Sequence, residues 1–445
     1  MQVEVIPTEE LGDRSYVVHD GAKAMVVDPQ RDLDRVERVL AERDLVCVLV
    51  AETHVHNDYV TGGYALARRT AARYLLAAAE QVDFDRYGVR DGDEVSLGRM
   101  TVRVVATPGH TDSHLAYVVS AEDGPAAVFT GGSLLYGSVG RTDLVSTERT
   151  LELTRAQYRS ARRLADELPG DSAVFPTHGF GSFCSAGSAI GGARSSIAAE
   201  RARNDALSEA DEDSFVEKLT SGLAAYPAYY AWMGPINRRG PGPADLSRPE
   251  PASAADLRQR IAAGQWVVDL RDRAAFASDH LAGSIGIELG QQFATYLGWL
   301  IPWGSPVTFI GVAPEQVTGA QRQLARIGID RPAGAAIWGA VGFADAGERR
   351  SYRRVGFTDL AGSEELRAGR GVVVDVRRED ERAEGSIPGS AHLPLHSLLS
   401  RLDELPEGRL WVHCATGYRA SIAASLLDRA GREVVVIDGE YGAPS

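Results

Sequence analysis

The chain has 445 residues, 44% hydrophobic and 24% charged, with a formal net charge of −14. That length predicts about three domains, while the acidic balance argues against a nucleic-acid partner and no apolar run is long enough to cross a bilayer. The cysteines Cys47, Cys184 and Cys414 are too few and too scattered for a disulfide framework, which fits a reducing cytoplasm.

The opening residues, Met1-Gln2-Val3-Glu4-Val5-Ile6, carry neither a basic nor an apolar signal region, so no signal peptide is expected. Val46-Cys47-Val48-Leu49-Val50 is short, apolar and β-branched and reads as a buried strand, with Cys47 a small core residue within it. Thr53-His54-Val55-His56-Asn57-Asp58-Tyr59 then forms a loop before a helix-like stretch over 64–76. Alternate loop residues can converge on one point, and imidazole with carboxylate suits zinc, iron or manganese. Two further histidines follow strand-like runs in the same way. His110 lies in Thr107-Pro108-Gly109-His110-Thr111-Asp112-Ser113-His114, and His178 in Pro176-Thr177-His178-Gly179. Between them, Arg141 can meet an anionic substrate group or form a structural ion pair with Asp143. Cys184, just past His178, reads as a packing residue that could also contact a thiol substrate.

These motifs, in this order, resemble the metallo-β-lactamase superfamily, which carries T-H-x-H-x-D-H, a G-H loop, a T-G-D loop and a final histidine. TPGHTDSH, GSVGRTDL (137–144) and PTHGFGSFCS (176–185) are most similar to persulfide dioxygenases and glyoxalase II-like hydrolases. The resemblance implies an αββα sandwich over residues 1–240 with metal ligands among His54, His56, Asp58, His110 and His178. Two positions depart from it. Tyr59 replaces a histidine, and Gly132, in Phe129-Thr130-Gly131-Gly132-Ser133-Leu134, replaces the T-G-D aspartate. Their loss implies one divalent metal, iron or zinc, instead of two, with His54, His56 and His110 as the intact set. In persulfide dioxygenases that aspartate completes a 2-His-1-carboxylate iron site, so Gly132 bears on the chemistry. Persulfide oxidation, metal-dependent thioester hydrolysis and non-catalytic persulfide binding all stay open for this region.

A boundary is expected at Asn237-Arg238-Arg239-Gly240-Pro241-Gly242-Pro243, where Pro and Gly interrupt regular structure. Beyond it lies a weak internal repeat. Val267-Val268-Asp269-Leu270-Arg271 is echoed by Val373-Val374-Asp375-Val376-Arg377, and Gly283-Ser284-Ile285 by Gly385-Ser386-Ile387. The copies, expected at 250–346 and 355–445, alternate strand-like and helix-like segments and predict parallel α/β sheets. They resemble rhodanese domains, the sulfurtransferases that carry sulfur on one cysteine.

In the second copy, Leu410-Trp411-Val412-His413 leads into Cys414-Ala415-Thr416-Gly417-Tyr418-Arg419 and a helix. A thiol under loop N–H groups at a helix N-terminus has its thiolate stabilised, and Ala415, Thr416, Gly417 and Tyr418 would cradle an anion or a persulfide. Arg419 adds charge and a donor fork. Four residues separate Cys414 from Arg419, the spacing of sulfurtransferases; cysteine-based phosphatases have five. The first copy has no cysteine and reads as structural. The whole is expected to be a multi-domain α/β enzyme of sulfur metabolism, a sulfurtransferase with a metal-binding front domain. Its expected partners are a low-molecular-weight thiol or persulfide and thiosulfate, with no membrane; a homo-oligomer stays open.

Overall fold

The computed structural model describes residues 1–187, 192, 194–339 and 349–442, so the expected ends of the two copies, at 346 and 445, lie outside the described residues. The chain forms two compact units, Met1–Ala244 with Ala325–Gly328, and Asp245–Leu324 with Ile329–Ser445.

In the first unit, β1 (Gln2–Thr8), β2 (Asp13–His19), β3 (Lys23–Val27), β4 (Val46–Ala51), β5 (Arg73–Ala77) and β6 (Tyr87–Val89) form one sheet in that order. The other sheet holds β7 (Glu94–Leu97), β8 (Met100–Ala106), β9 (Leu115–Ser120), β10 (Ala127–Gly131), β11 (Ala173–Pro176) and β12 (Ser195–Ser196), again in sequential order. Alternating side chains turn inward, and Tyr16, Met25, Leu49 and Leu75 meet Val102, Val104, Tyr117 and Phe129 in a shared core. The opposite faces are covered by helices. Val36 and Leu40 of the Asp34–Glu42 helix and Leu66 of the Gly63–Thr70 helix pack on the first sheet. On the second, the Thr150–Glu167 helix buries Leu153, Gln157, Ala161 and Leu164, spaced at three and four residues as an amphipathic helix requires. The expected αββα sandwich is therefore formed.

This architecture gathers the ligand loops. β3, β4 and β5 are mutually parallel, and β10 is parallel to β11. Because β9 runs antiparallel to both β8 and β10, β8 points the same way as β10. The loops leaving β3 and β4 thus share one edge of their sheet, and those leaving β8, β10 and β11 share one edge of theirs. Backbone bonds fasten the two edges together, with the Leu115 N–H donating to the Thr53 carbonyl and the Arg14 N–H to the Thr177 carbonyl, both at 2.8 Å.

In the second unit, β13 (Trp266–Asp269), β14 (His280–Leu281), β15 (Ile285–Gly286), β16 (Val307–Gly311), β17 (Gly334–Ile337) and β18 (Arg349–Arg350) build the first copy. β19 (Arg353–Val355), β20 (Gly371–Asp375), β21 (Ala391–His392), β22 (Arg409–His413) and β23 (Val434–Ile437) build the second. The sheets read β15-β13-β16-β17 and β21-β20-β22-β23-β19, the same parallel order with one strand added at the edge. The repeat extends to single hydrogen bonds. In each copy the D-x-R arginine grips its aspartate, Arg271 Nη2 to Asp269 Oδ2 at 2.7 Å and Arg377 Nη2 to Asp375 Oδ2 at 2.8 Å. The Ile287 N–H then donates to Asp269 O and the Leu393 N–H to Asp375 O, both at 3.0 Å. Each arginine also lies under an aromatic ring, Arg271 under Trp338 and Arg377 under Tyr441.

Candidate functional sites

The first candidate site is a buried cluster of imidazoles in the N-terminal unit. His54 and His56 leave β4, His110 and His114 follow β8, and His178 follows β11. Ring centroids lie 4.1 Å apart for His54–His56, 4.8 Å for His54–His110 and 5.3 Å for both His54–His178 and His110–His178. Hydrogen bonds on the far side of each ring decide which nitrogen keeps its lone pair.

Thr53 Oγ1 donates to Asp28 Oδ2 at 2.7 Å, so it can only accept from His54 Nδ1 at 2.9 Å, which leaves His54 Nε2 as the lone pair. His178 Nδ1 is held by Asp13 Oδ1 at 2.9 Å and Asp58 Oδ2 at 3.1 Å, leaving its Nε2. His110 Nδ1 donates to the Arg141 carbonyl at 2.7 Å, and its Nε2 is buried with no partner. His56 Nε2 lies between Glu52 Oε2, at 3.1 Å, and Asp28 Oδ1, at 3.3 Å, while its Nδ1 is buried and unpartnered. His56 Nδ1 and His110 Nε2 are thus buried without a partner, and His54 Nε2 and His178 Nε2 meet only each other. His54 Nε2 and His178 Nε2 stand 3.3 Å apart, about the edge of a tetrahedron whose nitrogens lie ~2.0–2.1 Å from a shared ion.

A buried acceptor left unsatisfied costs about 1–3 kcal/mol, and a cation removes that cost for every nitrogen it touches. The residues therefore fit a divalent metal. Among the described residues, ligand atoms of His54, His56 and His178 lie within 4.8 Å of one another, and so do those of His110, His178 and Cys184. His114 differs, since Thr107 Oγ1 and the Gly132 N–H occupy its two ring nitrogens at 2.9 and 3.0 Å. It braces the loops.

The carboxylates behind the rings tune them. Burial opposes a charge on His56, yet Asp28 outweighs it and the pKa rises to about 9. Burial also opposes a charge on His178, and Asp58 and Asp13 outweigh it, raising that pKa well above the imidazole range. His54 goes the other way, since burial and the neighbouring His56 hold it well below the usual value. Basic rings backed by carboxylates make stronger ligands. Asp58 acts through His178, and burial, with a smaller push from Asp28, raises Glu52 to about 7 against the pull of His56.

At residue 132 the missing side chain has been replaced by a neighbour. A Cβ there would fall 2.4 Å from His110 Cδ2, and one on Gly140 would fall 2.7 Å from His110 Nδ1. The imidazole of His110 thus fills a slot left by two glycines. Arg141 is engaged mainly within the protein. Asp143 takes its Nε and one Nη2 N–H, both at 2.7 Å, and the Ala224 and Phe183 carbonyls take the second Nη2 N–H and one from Nη1. Its role in the structure is to hold the carbonyl that orients His110. Asp13, Asp28, Glu52 and Thr53 were not among the residues expected from sequence. Asp28 and Glu52 each directly follow an apolar strand run, the one signal that could have marked them.

The second candidate site lies in the second unit. Cys414 follows β22 and is 1% exposed. The Gly417 N–H donates to Cys414 Sγ at 3.1 Å, and Gly417 opens the Tyr418–Arg429 helix at φ +93°. A Cβ on Gly417 would also strike the Asp438 carboxylate, so conformation and space both require glycine. The Ala415 carbonyl accepts from the Tyr441 N–H at 2.7 Å, Thr416 is exposed, and the Tyr418 hydroxyl donates to the Glu288 carbonyl of the first copy at 2.8 Å. Arg419 is held in a bidentate ion pair. Both terminal nitrogens donate to Glu381, a residue the sequence did not flag. In the first copy, β16 ends at Gly311 and a helix starts at Pro314, leaving neither a cysteine nor room for the loop.

Comparison with known proteins agrees with both halves. The rhodanese-like domain family matches residues 362–443. A hydroxyacylglutathione hydrolase of Cupriavidus metallidurans is 33% identical over 221 residues, 47% of this chain and 79% of that protein. The mitochondrial persulfide dioxygenase ETHE1 of Homo sapiens is 27% identical over 175 residues, 39% of this chain; the chain spans 63% of that enzyme. A crystal structure of a metallo-β-lactamase from Staphylococcus aureus subsp. aureus COL matches with a TM-score of 0.69 at 26% identity, covering 76% of this chain and 98% of that one. The chain belongs to the metallo-β-lactamase-fold family of the glyoxalase II and persulfide dioxygenase kind, and it ends in a rhodanese-like domain. No helix among the described residues is long and apolar enough to cross a membrane.

Proposed function

We propose that this protein is an enzyme of sulfur metabolism in which Cys414 carries sulfane sulfur and the imidazole cluster binds one divalent metal that acts on a low-molecular-weight persulfide. The observation that carries the reading is the Gly417 N–H bonded to Cys414 Sγ at a helix N-terminus. A sulfur placed there is stabilised as an anion, both as thiolate and as persulfide. The thiolate attacks the outer sulfur of a donor, the donor's S–S bond breaks, and the Cys414 persulfide passes that sulfur to an acceptor thiol.

In the front unit, His54, His56, His110 and His178 would hold the metal, and Asp28, Glu52, Asp13 and Asp58 fix their ring nitrogens. Iron would supply oxygen chemistry and zinc a Lewis acid. A second reading, thioester hydrolysis, is favoured by one observation. The cluster is all imidazole where residue 132 offers no carboxylate, a donor set that suits zinc. Iron in the purified protein with persulfide-dependent oxygen uptake supports the first reading, and zinc with thioester cleavage the second.

The transfer reading is tested by Cys414→Ser. It should abolish sulfur transfer from a persulfide donor to cyanide while fold and metal content persist. Full transfer by this variant sinks the assignment.

A further inference from the structure

The positive charge that the Cys414 loop could offer an incoming anion is already engaged. Arg419 Nη1 and Nη2 donate to Glu381 Oε2 and Oε1 at 2.5 and 2.6 Å, a bidentate pair. Burial works against a charge on Glu381, but Arg419 outweighs it and keeps the carboxylate ionised. Next to it, Arg378 directs Nε and Nη2 to Asp380 at 3.0 and 2.9 Å and lies 3.7 Å from Glu381. Each of these two arginines therefore has a carboxylate of its own.

Tyr418, the residue before Arg419, has one aromatic neighbour from the cysteine-free copy. The Tyr296 ring lies 6.0 Å from Tyr418, and Trp299 stacks on His396 at 5.1 Å and 17°. Tyr296 and Trp299 share the Phe293–Leu300 helix, so one element of the first copy presents both.

We infer that Glu381, by occupying the Arg419 fork, selects an organic persulfide over thiosulfate as the sulfur donor to Cys414. This rests on Cys414 being the sulfur carrier. Thiosulfate is a dianion, and its attack by the Cys414 thiolate expels sulfite, a second dianion, so the whole reaction needs uncompensated positive charge at the loop. With an organic persulfide, the Cys414 thiolate attacks the outer sulfur of R–S–SH. The bond between the two donor sulfurs breaks, R–S⁻ leaves, and Cys414–S–SH forms with the proton still on the outer sulfur. That leaving group carries a single charge. A carboxylate already seated on Arg419 discriminates against the dianion by like-charge repulsion as well as by occupying the donors.

The test loads the full chain with sulfur from thiosulfate or from glutathione persulfide in single-turnover reactions followed by intact mass. Glu381 acts through Arg419, so the readout is the ratio of the two second-order rates, which a general structural defect would leave unmoved. Glu381→Gln should raise the thiosulfate-to-persulfide ratio about tenfold, mainly through a lower KM for thiosulfate. Glu381→Asp, which keeps the charge, should hold the ratio near that of the unaltered chain. An unchanged ratio in Glu381→Gln with sulfur still loading on Cys414 overturns the selectivity inference alone. No sulfur on Cys414 from either donor overturns it together with the sulfur-carrier reading.

Discussion

His54 Nε2 and His178 Nε2 face each other at 3.3 Å, close enough to share a proton, or a cation in its place. Thr53 is the test of that argument at the scale of one side chain, because its hydroxyl relays Asp28 to His54 Nδ1 and thereby fixes the tautomer. Thr53→Val keeps the shape and removes the relay. It should weaken metal binding about 10- to 100-fold, the usual effect of losing a group that orients a ligand, measured by competition against a chromophoric chelator. An unchanged affinity would show that His54 does not ligate through Nε2. The histidines themselves were legible from sequence because each follows an apolar strand in a short loop. Asp13 and Asp28 were not, since a single carboxylate carries no local pattern and becomes a partner of His178 or His56 only when separate strands meet. Gly132 was legible as a missing carboxylate, but the presence of the His110 ring in that space was not. It depends on Gly140, a second glycine elsewhere in the chain.

The strand, loop and helix around Cys414 behave as one element. β22 is buried almost throughout, as a central parallel strand should be, and its end delivers the sulfur beneath the first N–H groups of the Tyr418–Arg429 helix. The turn depends on Gly417 in the left-handed region, a conformation that costs other residues about 1–3 kcal/mol. Gly417→Ala should therefore lower stability by about that amount and slow sulfur loading by at least about tenfold. Chemical denaturation and single-turnover rates check the two effects. Normal loading by a destabilised variant would mean that the loop's N–H groups do not matter to the sulfur. Much of this element was readable in advance, because Cys, Gly and Arg at fixed offsets after an apolar strand describe its geometry. The occupation of Arg419 was not readable. Glu381 lies 38 residues away, and which of several nearby carboxylates pairs with an arginine is decided by packing.

At the scale of the chain, each unit has its own core and its own candidate site. The first is a two-sheet sandwich whose strand ends gather imidazoles, and the second a pair of parallel sheets of matching order. The internal repeat was visible as two short echoes in the sequence, yet its depth, down to paired D-x-R clamps and equivalent backbone bonds, emerges only from the sheets. Three cysteines, Cys47, Cys184 and Cys414, are all buried, so burial alone does not say which one carries sulfur. Cys47 is bonded to a strand carbonyl and Cys184 borders the imidazole cluster. Among the described residues, Cys414 is the one whose sulfur receives a backbone N–H. The decisive measurement is the intact mass of the full chain after treatment with glutathione persulfide, followed by peptide mapping under non-reducing conditions. A gain of one sulfur atom, located on Cys414 and absent from Cys414→Ser, is the expected result; the added sulfur on Cys184 or Cys47 instead, or no gain at all, would contradict the account.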